Sequence, residues 1–300
     1  KNLMKFSIIT PVYNGEKYSE ETIKSVLSQE GDFEIEYIIC DGNSSDGTLD
    51  IIEKYNNLLK ERLRLVKCNG VKLKWTSEKD EGMYDAINKG FKIATGDVYA
   101  YINSDDLYLP GAFSVVAKAF NKFPEIQWLK GITNYLDKNS ITPEPGTCFL
   151  YNQAWIKKGI YGRYAYFIQQ DSVFWRSNLW KKAGPIDSSL RMAGDYYLWV
   201  KFSNLAPLWS INRKVSCFRK TDGQLSKNMT LYRNEQMIIC PINKKNDFII
   251  RLFFGLKNKL TPVLTEKLFE KLYCLMFPKR NKYYIDIELK ENLVKKEINS

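Results

Sequence analysis

Apolar residues recur along the first 120 positions in two alternating rhythms. Short runs with a two-residue repeat, or with no break at all, predict strands at residues 6–10 (closed by Pro11), 34–40 and 97–102. Weaker strand signals lie at 64–66 and 73–76. Between them, apolar positions three and four apart predict helices. Residues 16–29 set Ile23, Val26 and Leu27 on one face. Asp46 reads as the N-cap of a helix carrying Leu49 and Ile52, and residues 82–95 align Met83, Ala86, Ile87 and Phe91 before Gly96. This alternation predicts an α/β fold: a mostly parallel, Rossmann-like sheet flanked by helices.

Past Phe123 the alternation lapses. Residues 126–131 and 217–219 still read as strands, and 193–205 as a helix. A boundary near residue 240 divides a main domain, 1–240 (halves 1–120 and 121–240), from a C-terminal extension, 241–300. That extension is expected to be helical and basic, with apolar residues crowded over 248–256 among Arg251, Lys257 and Lys259. Two readings of it stay open: an amphipathic contact with an anionic membrane surface, or packing on the main domain.

Composition narrows the chemistry. The 300 residues carry 45 Lys/Arg against 34 Asp/Glu, a net charge of +11, which fits a polyanionic or phosphate-bearing partner. A nucleic-acid-binding role is disfavoured because no reader motif appears and the acidic residues gather at strand ends. None of the six cysteines forms a C-x-x-C pair, so zinc is not expected and the thiols read as reduced in a cytoplasmic protein. The apolar run at 6–12 is too short for a secretory leader, and no stretch approaches twenty uninterrupted apolar residues. There is no histidine, so a general base must be a carboxylate, Tyr, Lys or Cys, and a metal must be held by oxygen or sulfur.

Four polar clusters fall where strands end: Tyr13-Asn14, Asp41-Gly42-Asn43, Glu78-Lys79-Asp80 and Asn103-Ser104-Asp105-Asp106. Ligands of open α/β sheets bind outside the carboxyl ends of the strands. Turn formation alone could account for any one cluster but less readily for four. The adjacent Asp105 and Asp106 repel each other unless a cation or donor relieves them, and oxygen ligands suit Mg²⁺ or Mn²⁺ together with substrate phosphates.

The strings Ser7-Ile8-Ile9-Thr10-Pro11-Val12-Tyr13-Asn14, Asp41-Gly42-Asn43-Ser44-Ser45-Asp46-Gly47-Thr48 and Glu81-Gly82-Met83-Tyr84-Asp85-Ala86 resemble family 2 nucleotide-sugar glycosyltransferases. Asn103-Ser104-Asp105-Asp106 is similar to that family's D-x-D motif, with Asn103 replacing its first Asp. The resemblance continues through Gln169-Gln170-Asp171-Ser172-Val173-Phe174-Trp175-Arg176 to Gly194-Asp195-Tyr196-Tyr197-Leu198-Trp199.

This resemblance implies a GT-A fold and a metal-dependent, inverting enzyme. Such an enzyme passes a sugar from a nucleotide diphosphate, with UDP the expected nucleotide, to a hydroxyl of a glycan or lipid-linked saccharide in surface polysaccharide synthesis. It implies that Pro11, Tyr13, Asn14 and Asp41 hold the nucleobase and Asp80 the nucleotide. Asn103 and Asp105 then face ribose or donor sugar, Asp106 holds Mn²⁺ or Mg²⁺, and Asp195 is the base, with an N-cap role as its alternative. Gln170 and Arg176 are expected near the diphosphate or acceptor, a structural role remaining equally open. A nucleotidyltransferase is the runner-up, but it needs basic phosphate-gripping residues where this chain has Val12-Tyr13-Asn14-Gly15.

Overall fold

The computed structural model describes residues 3–61, 66–137, 141–143, 151–163, 167–221, 228–241, 248, 252, 283–288 and 292–297. Four parallel strands form its first half: β1 (Met4–Val12), β2 (Glu30–Asp41), β3 (Lys67–Ser77) and β4 (Val98–Tyr101). The helices α1 (Ser19–Leu27), α2 (Thr48–Lys60) and α3 (Met83–Ile93) connect them. Nearly every residue of β1 is buried because helices cover both faces of the sheet, as parallel strands require. The two weak strand signals at 64–66 and 73–76 resolve differently. The second belongs to β3, whose lysines and half-buried side chains suit a sheet edge, and 62–65 lie outside the described residues. Asp46 sits one position before the observed cap, Gly47, yet its carboxylate still accepts the Thr48 N–H at 3.1 Å.

The second half adds β5 (Leu107–Tyr108), α4 (Ala112–Lys122), β6 (Trp128–Leu136), β7 (Ile141–Pro143), α5 (Gln153–Lys157), β8 (Val173–Arg176), α6 (Ser177–Ala183), α7 (Gly194–Leu205), β9 (Leu208–Arg219) and α8 (Met229–Ile239). Here β8 runs antiparallel to both β4 and β6, which is why strict alternation disappears from the sequence. With β10 (Tyr283–Glu288) and β11 (Asn292–Glu297), the sheet order is β11-β10-β9-β6-β8-β4-β1-β2-β3, with β5 on β9 and β7 on β6. One core packs α1, α2 and α4 on one face of the sheet. The other packs α3, α5, α6 and α7 on the opposite face, around Trp128, Trp175 and Trp199.

Phe248 and Leu252 are helical as expected, but the last part of the extension departs from expectation. Tyr283–Glu288 (β10) and Asn292–Glu297 (β11) form a hairpin, and β10 pairs in parallel with β9. The hairpin thus continues the main sheet and is not helical. Leu293 is buried, its carbonyl accepts from Lys122 Nζ at 2.7 Å, and Lys295 reaches both Glu125 and the Trp209 ring. Most of the apolar run expected at 248–256 lies outside the described residues; Phe248 and Leu252 are exposed.

Two close fits set the spacing of the first half. Gly96 begins the approach to β4, and a Cβ there would sit 2.7 Å from the Lys5 carbonyl oxygen and 2.8 Å from the Ser7 nitrogen. Beside it lies Glu36, a carboxylate buried in the apolar strand β2, where an unpaired charge would be costly. It accepts from Ser7 Oγ (2.6 Å), Lys74 Nζ (2.6 Å), Thr95 N–H (2.7 Å) and Thr95 Oγ1 (2.9 Å), joining β1, β2, β3 and the α3–β4 link. Burial alone would raise its pKa, but Lys74, Ser7 and Thr95 outweigh that and hold it at about 2.

Two outcomes are expected. Gly96→Ala forces backbone apart and should lower stability by about 2–3 kcal/mol in urea unfolding, a cost typical of overpacking. A carboxyl with a depressed folded pKa stabilises above its unfolded value near 4.5 and loses that contribution as pH falls toward about 2. The wild-type melting temperature should therefore drop more steeply between those pH values than that of Glu36→Gln.

Candidate active site

The carboxyl ends of three parallel strands align in one rung: Val12 pairs with Asp41, and Asp41 with Ser77. The turns leaving β1 and β2 each use an asparagine in the left-handed region, Asn14 (φ 49°) and Asn43 (φ 65°), which asparagine tolerates better than most residues. The two turns lock together: Asn14 N–H donates to Ser44 Oγ at 2.8 Å, and Ser45 N–H donates to Asn14 Oδ1 at 2.9 Å. Asp41 is nearly enclosed and accepts from the Ser44 N–H, the Ser44 hydroxyl and the Ser77 hydroxyl. A carboxylate has about four acceptor positions, so one remains for a ligand. Gly42 lies between two further candidates, since a Cβ there would be 2.7 Å from Asp80 Oδ2 and 3.5 Å from the Tyr13 ring. Asp80 is itself fixed by the Gly82 N–H at 2.8 Å, while Tyr13 presents an exposed ring. Pro11, Tyr13, Asn14, Asp41 and Asp80 therefore form one neighbourhood.

The loop after β4 holds a second group. Asp106 is fully enclosed, with Oδ1 accepting the Arg219 N–H at 2.9 Å and Oδ2 facing the Asn103 amide at 3.4 Å. Burial, then the charges of Asp105 and Asp171, push its carboxyl well above the usual range. Asp105 is half-buried, and Asn103 Oδ1 is buried without a hydrogen-bond partner. The Arg219 guanidinium clamps this loop to α1 by donating to the Asp105 carbonyl (2.9 Å) and to Glu21 (2.6 Å). Gly15 brings the first turn against Ser104, so the acidic loop adjoins the nucleotide-side turns.

Asp195 lies in the first turn of α7 but does not cap it; Ala193 holds the cap position. Its Oδ1 accepts the Tyr196 N–H at 2.7 Å and faces the Tyr232 hydroxyl at 3.4 Å. Burial is the main reason its carboxyl rises to about 7; the Tyr196 N–H and Tyr232 hydroxyl work against that rise, and Glu235 adds to it. Tyr84 places its ring against Gly194, where a Cβ would come within 2.5 Å, and its hydroxyl donates to the Met192 carbonyl at 2.8 Å. The buried hydroxyl of Tyr101, at the end of β4, senses the charges of both Asp195 and Asp171. Asp171, next to Gln170 in the turn bonded to the Tyr101 carbonyl, in turn acts on Asp106.

The two remaining candidates lie at opposite ends of β4. Gln170 opens a single 3-10 turn and its amide donates to the Tyr101 carbonyl. Arg176 pairs with Val98, at the amino end of β4, and donates to the carbonyls of Ile126 and Phe120 at 2.8 Å each. Arg176 thus closes the α4–β6 turn, the structural role that the sequence left open beside diphosphate or acceptor contact. Sequence reasoning assigned no role to Asp171, Tyr84, Arg219, Tyr232 or Glu235. Tyr84 and Asp171 stand inside the motif strings, and Tyr232 and Glu235 are three apart, one helical face; Arg219 carries no local signal.

Comparison with known proteins supplies the family and the fold. The chain is 27% identical over 224 residues to an uncharacterized glycosyltransferase of Rickettsia typhi, covering 73% of this chain and 64% of the relative. It is 36% identical over 107 residues to the poly(ribitol-phosphate) β-N-acetylglucosaminyltransferase TarS of Staphylococcus aureus, covering 35% of this chain and 17% of TarS. The chain thus spans less than two thirds of the length of these relatives. The crystal structure of S. aureus TarS 1–349 with UDP-GlcNAc superposes with a TM-score of 0.61 at 18% identity, covering 88% of this chain and 77% of that one, which establishes the shared GT-A fold. The sequence model of glycosyl transferase family 2 matches residues 7–167, more than half of the chain, and this protein belongs to that family.

Proposed function

We propose that the protein transfers a sugar, with inversion, from a UDP-sugar to a hydroxyl of a glycan or lipid-linked saccharide in surface polysaccharide synthesis. One observation carries this reading: Asp195, an enclosed carboxyl raised to about 7, and Asp171, which acts on Asp106 of the acidic loop, both act on Tyr101 at the end of β4. A base needs a pKa near its working pH, and burial supplies it here without histidine. The relative TarS acts on poly(ribitol phosphate), and its structure holds UDP-GlcNAc, which supports a UDP-sugar donor and a cell-surface polymer as acceptor.

In this reading the free acceptor position on Asp41 takes the nucleobase imide N–H, and the exposed Tyr13 ring, with Pro11 and Asn14, walls the base. Asp80 holds the nucleotide. Asn103 and Asp105 face ribose and donor sugar, and Gln170 lies close enough to meet diphosphate or acceptor. The donor set fits a hard divalent cation: mutual repulsion of Asp105, Asp106 and Asp171 and the orphaned Asn103 oxygen all call for positive charge. Among the described residues no three acidic, Cys or His side chains form a cage; Mn²⁺ or Mg²⁺ held by one or two carboxylates would take its other ligands from diphosphate oxygens. Such an ion, held at Asp106, would neutralise charge on the leaving diphosphate. Asp195 takes the proton of the acceptor hydroxyl as its oxygen bonds to the anomeric carbon, and the bond to the diphosphate oxygen breaks on the opposite side of the sugar. No helix of the described residues is long and apolar enough to cross a membrane. Exposed Ile238, Phe248 and Leu252 support peripheral contact with a membrane bearing the acceptor, on its cytoplasmic side.

Three tests follow from this assignment. Asp195→Asn should fold and bind donor yet lose transfer by about 10²–10⁴-fold, as removal of a general base does. Near-normal transfer would refute the role. Because only the ionised base works, kcat/KM in wild type should rise with pH up to about 7 and level off above it. A profile flat from pH 5 to 8 would count against Asp195. Finally, UDP-sugars should raise the melting temperature more than GDP- or dTDP-sugars, and more with Mn²⁺ than without, by mass action on the native state. Equal shifts for all three nucleotides would remove the uracil assignment.

A further inference from the structure

Three successive backbone N–H groups lead into α7, from Arg191, Met192 and Ala193, and all three point at one side chain. Glu235, buried in α8, accepts from Arg191 N–H at 2.8 Å through Oε1, and from Met192 at 2.9 Å and Ala193 at 2.7 Å through Oε2. Converging N–H groups at a helix start are an anion-binding arrangement, and here the anion is internal. One helical turn away on α8, Tyr232 aims its hydroxyl at Asp195 Oδ1. The same helix therefore supplies a negative charge behind the head of α7 and a hydrogen bond to the carboxylate on its first turn.

We infer that Tyr232 and Glu235 of α8 are positioning residues that set the aim and the basicity of Asp195. This rests on the reading of Asp195 as the general base. Left alone, the amino end of α7 would present positive potential to a first-turn carboxylate and make it a weaker base. Glu235, held just ahead of that end by the Arg191, Met192 and Ala193 N–H groups, offsets the potential with a full negative charge, which favours the protonated form of Asp195. Tyr232 acts in the opposite sense, because its hydroxyl donates to the ionised form. The other titratable groups around this carboxyl are the hydroxyls of Tyr84 from α3 and Tyr101 from β4. Arg191 turns its guanidinium away, to the Glu81 carbonyl. The charge of Glu235 and the donor of Tyr232 can each be removed by one substitution, with opposite consequences.

The test reads Asp195 directly and needs no donor. In protein labelled with ¹³C at the aspartate carboxyl carbon, the resonance absent from Asp195→Asn identifies the residue, and its titration is followed from pH 4 to 9. Wild type should titrate near 7. Tyr232→Phe should titrate about half a unit or more higher, and Glu235→Gln about half a unit or more lower. Opposite displacements, mirrored in the acid limb of kcat/KM, support the inference; a purely structural helix would lower both melting temperatures and leave both titrations where they were, which overturns it. Should Glu235→Gln fail to fold, Tyr232→Phe decides alone, and an unmoved or lowered titration overturns the inference. Displaced titrations with unimpaired transfer in Asp195→Asn would instead refute the base role while leaving the electrostatic tuning in place.

Discussion

The site depends on the fit of the Tyr84 ring against the α-carbon of Gly194. Tyr84 belongs to α3, which packs on the parallel nucleotide-side strands, and Gly194 immediately precedes Asp195 on a helix contributed by the other half of the chain. With 2.5 Å between the ring and an imagined Cβ, neither a larger residue at 194 nor a displaced α3 is compatible with the observed head of α7. The hydroxyl of the same tyrosine holds the Met192 carbonyl, so both position and orientation of that head are referenced to the first half. A base that must lie across a cleft from a departing group needs such a reference, because small displacements cost large factors in rate.

The acidic loop is held by the same logic with different chemistry. Asp106 is enclosed and its carboxylate meets the backbone of β9, while Arg219 from β9 reaches back across the loop to α1. The loop is therefore fixed from both halves, and one cation is already committed to it without removing the repulsion among Asp105, Asp106 and Asp171. That residual negative potential lies in a protein of net charge +11. In the proposed reaction the basic surface would draw in the diphosphate while the innermost loop would require a counter-ion, so ion and diphosphate would arrive together.

Much of the nucleotide side was legible in the sequence because its signals are local. Strand, turn and polar cluster follow one another within ten residues, and the parallel register then aligns Val12, Asp41 and Ser77 without further information. Asn14 and Asn43 were visible as turn residues, and their left-handed backbone is what turns of this kind ask for. The two open roles of Arg176 could not be separated for the opposite reason. β8 runs antiparallel to β4, so its last residue falls at the amino end of β4, away from the polar turns. Strand direction is a tertiary fact that periodicity does not encode. The hairpin at the C-terminus escaped for a similar reason: the helical expectation rested on the apolar and basic run at 248–256, and pairing with β9 is what makes 283–288 a strand.

That hairpin also bears on how the basic charge is used. Lys122 caps the Leu293 carbonyl, and Lys295 is shared between Glu125 and the face of Trp209. These lysines fasten β11 to α4 and β9, so part of the excess charge that composition assigns to partners serves the sheet instead. Packing of the extension on the catalytic domain and contact of its earlier apolar residues with a membrane are therefore compatible, since they use different segments. Phe248 and Leu252 are exposed, whereas the hairpin is fixed to β9, so the two parts of the extension meet different surroundings.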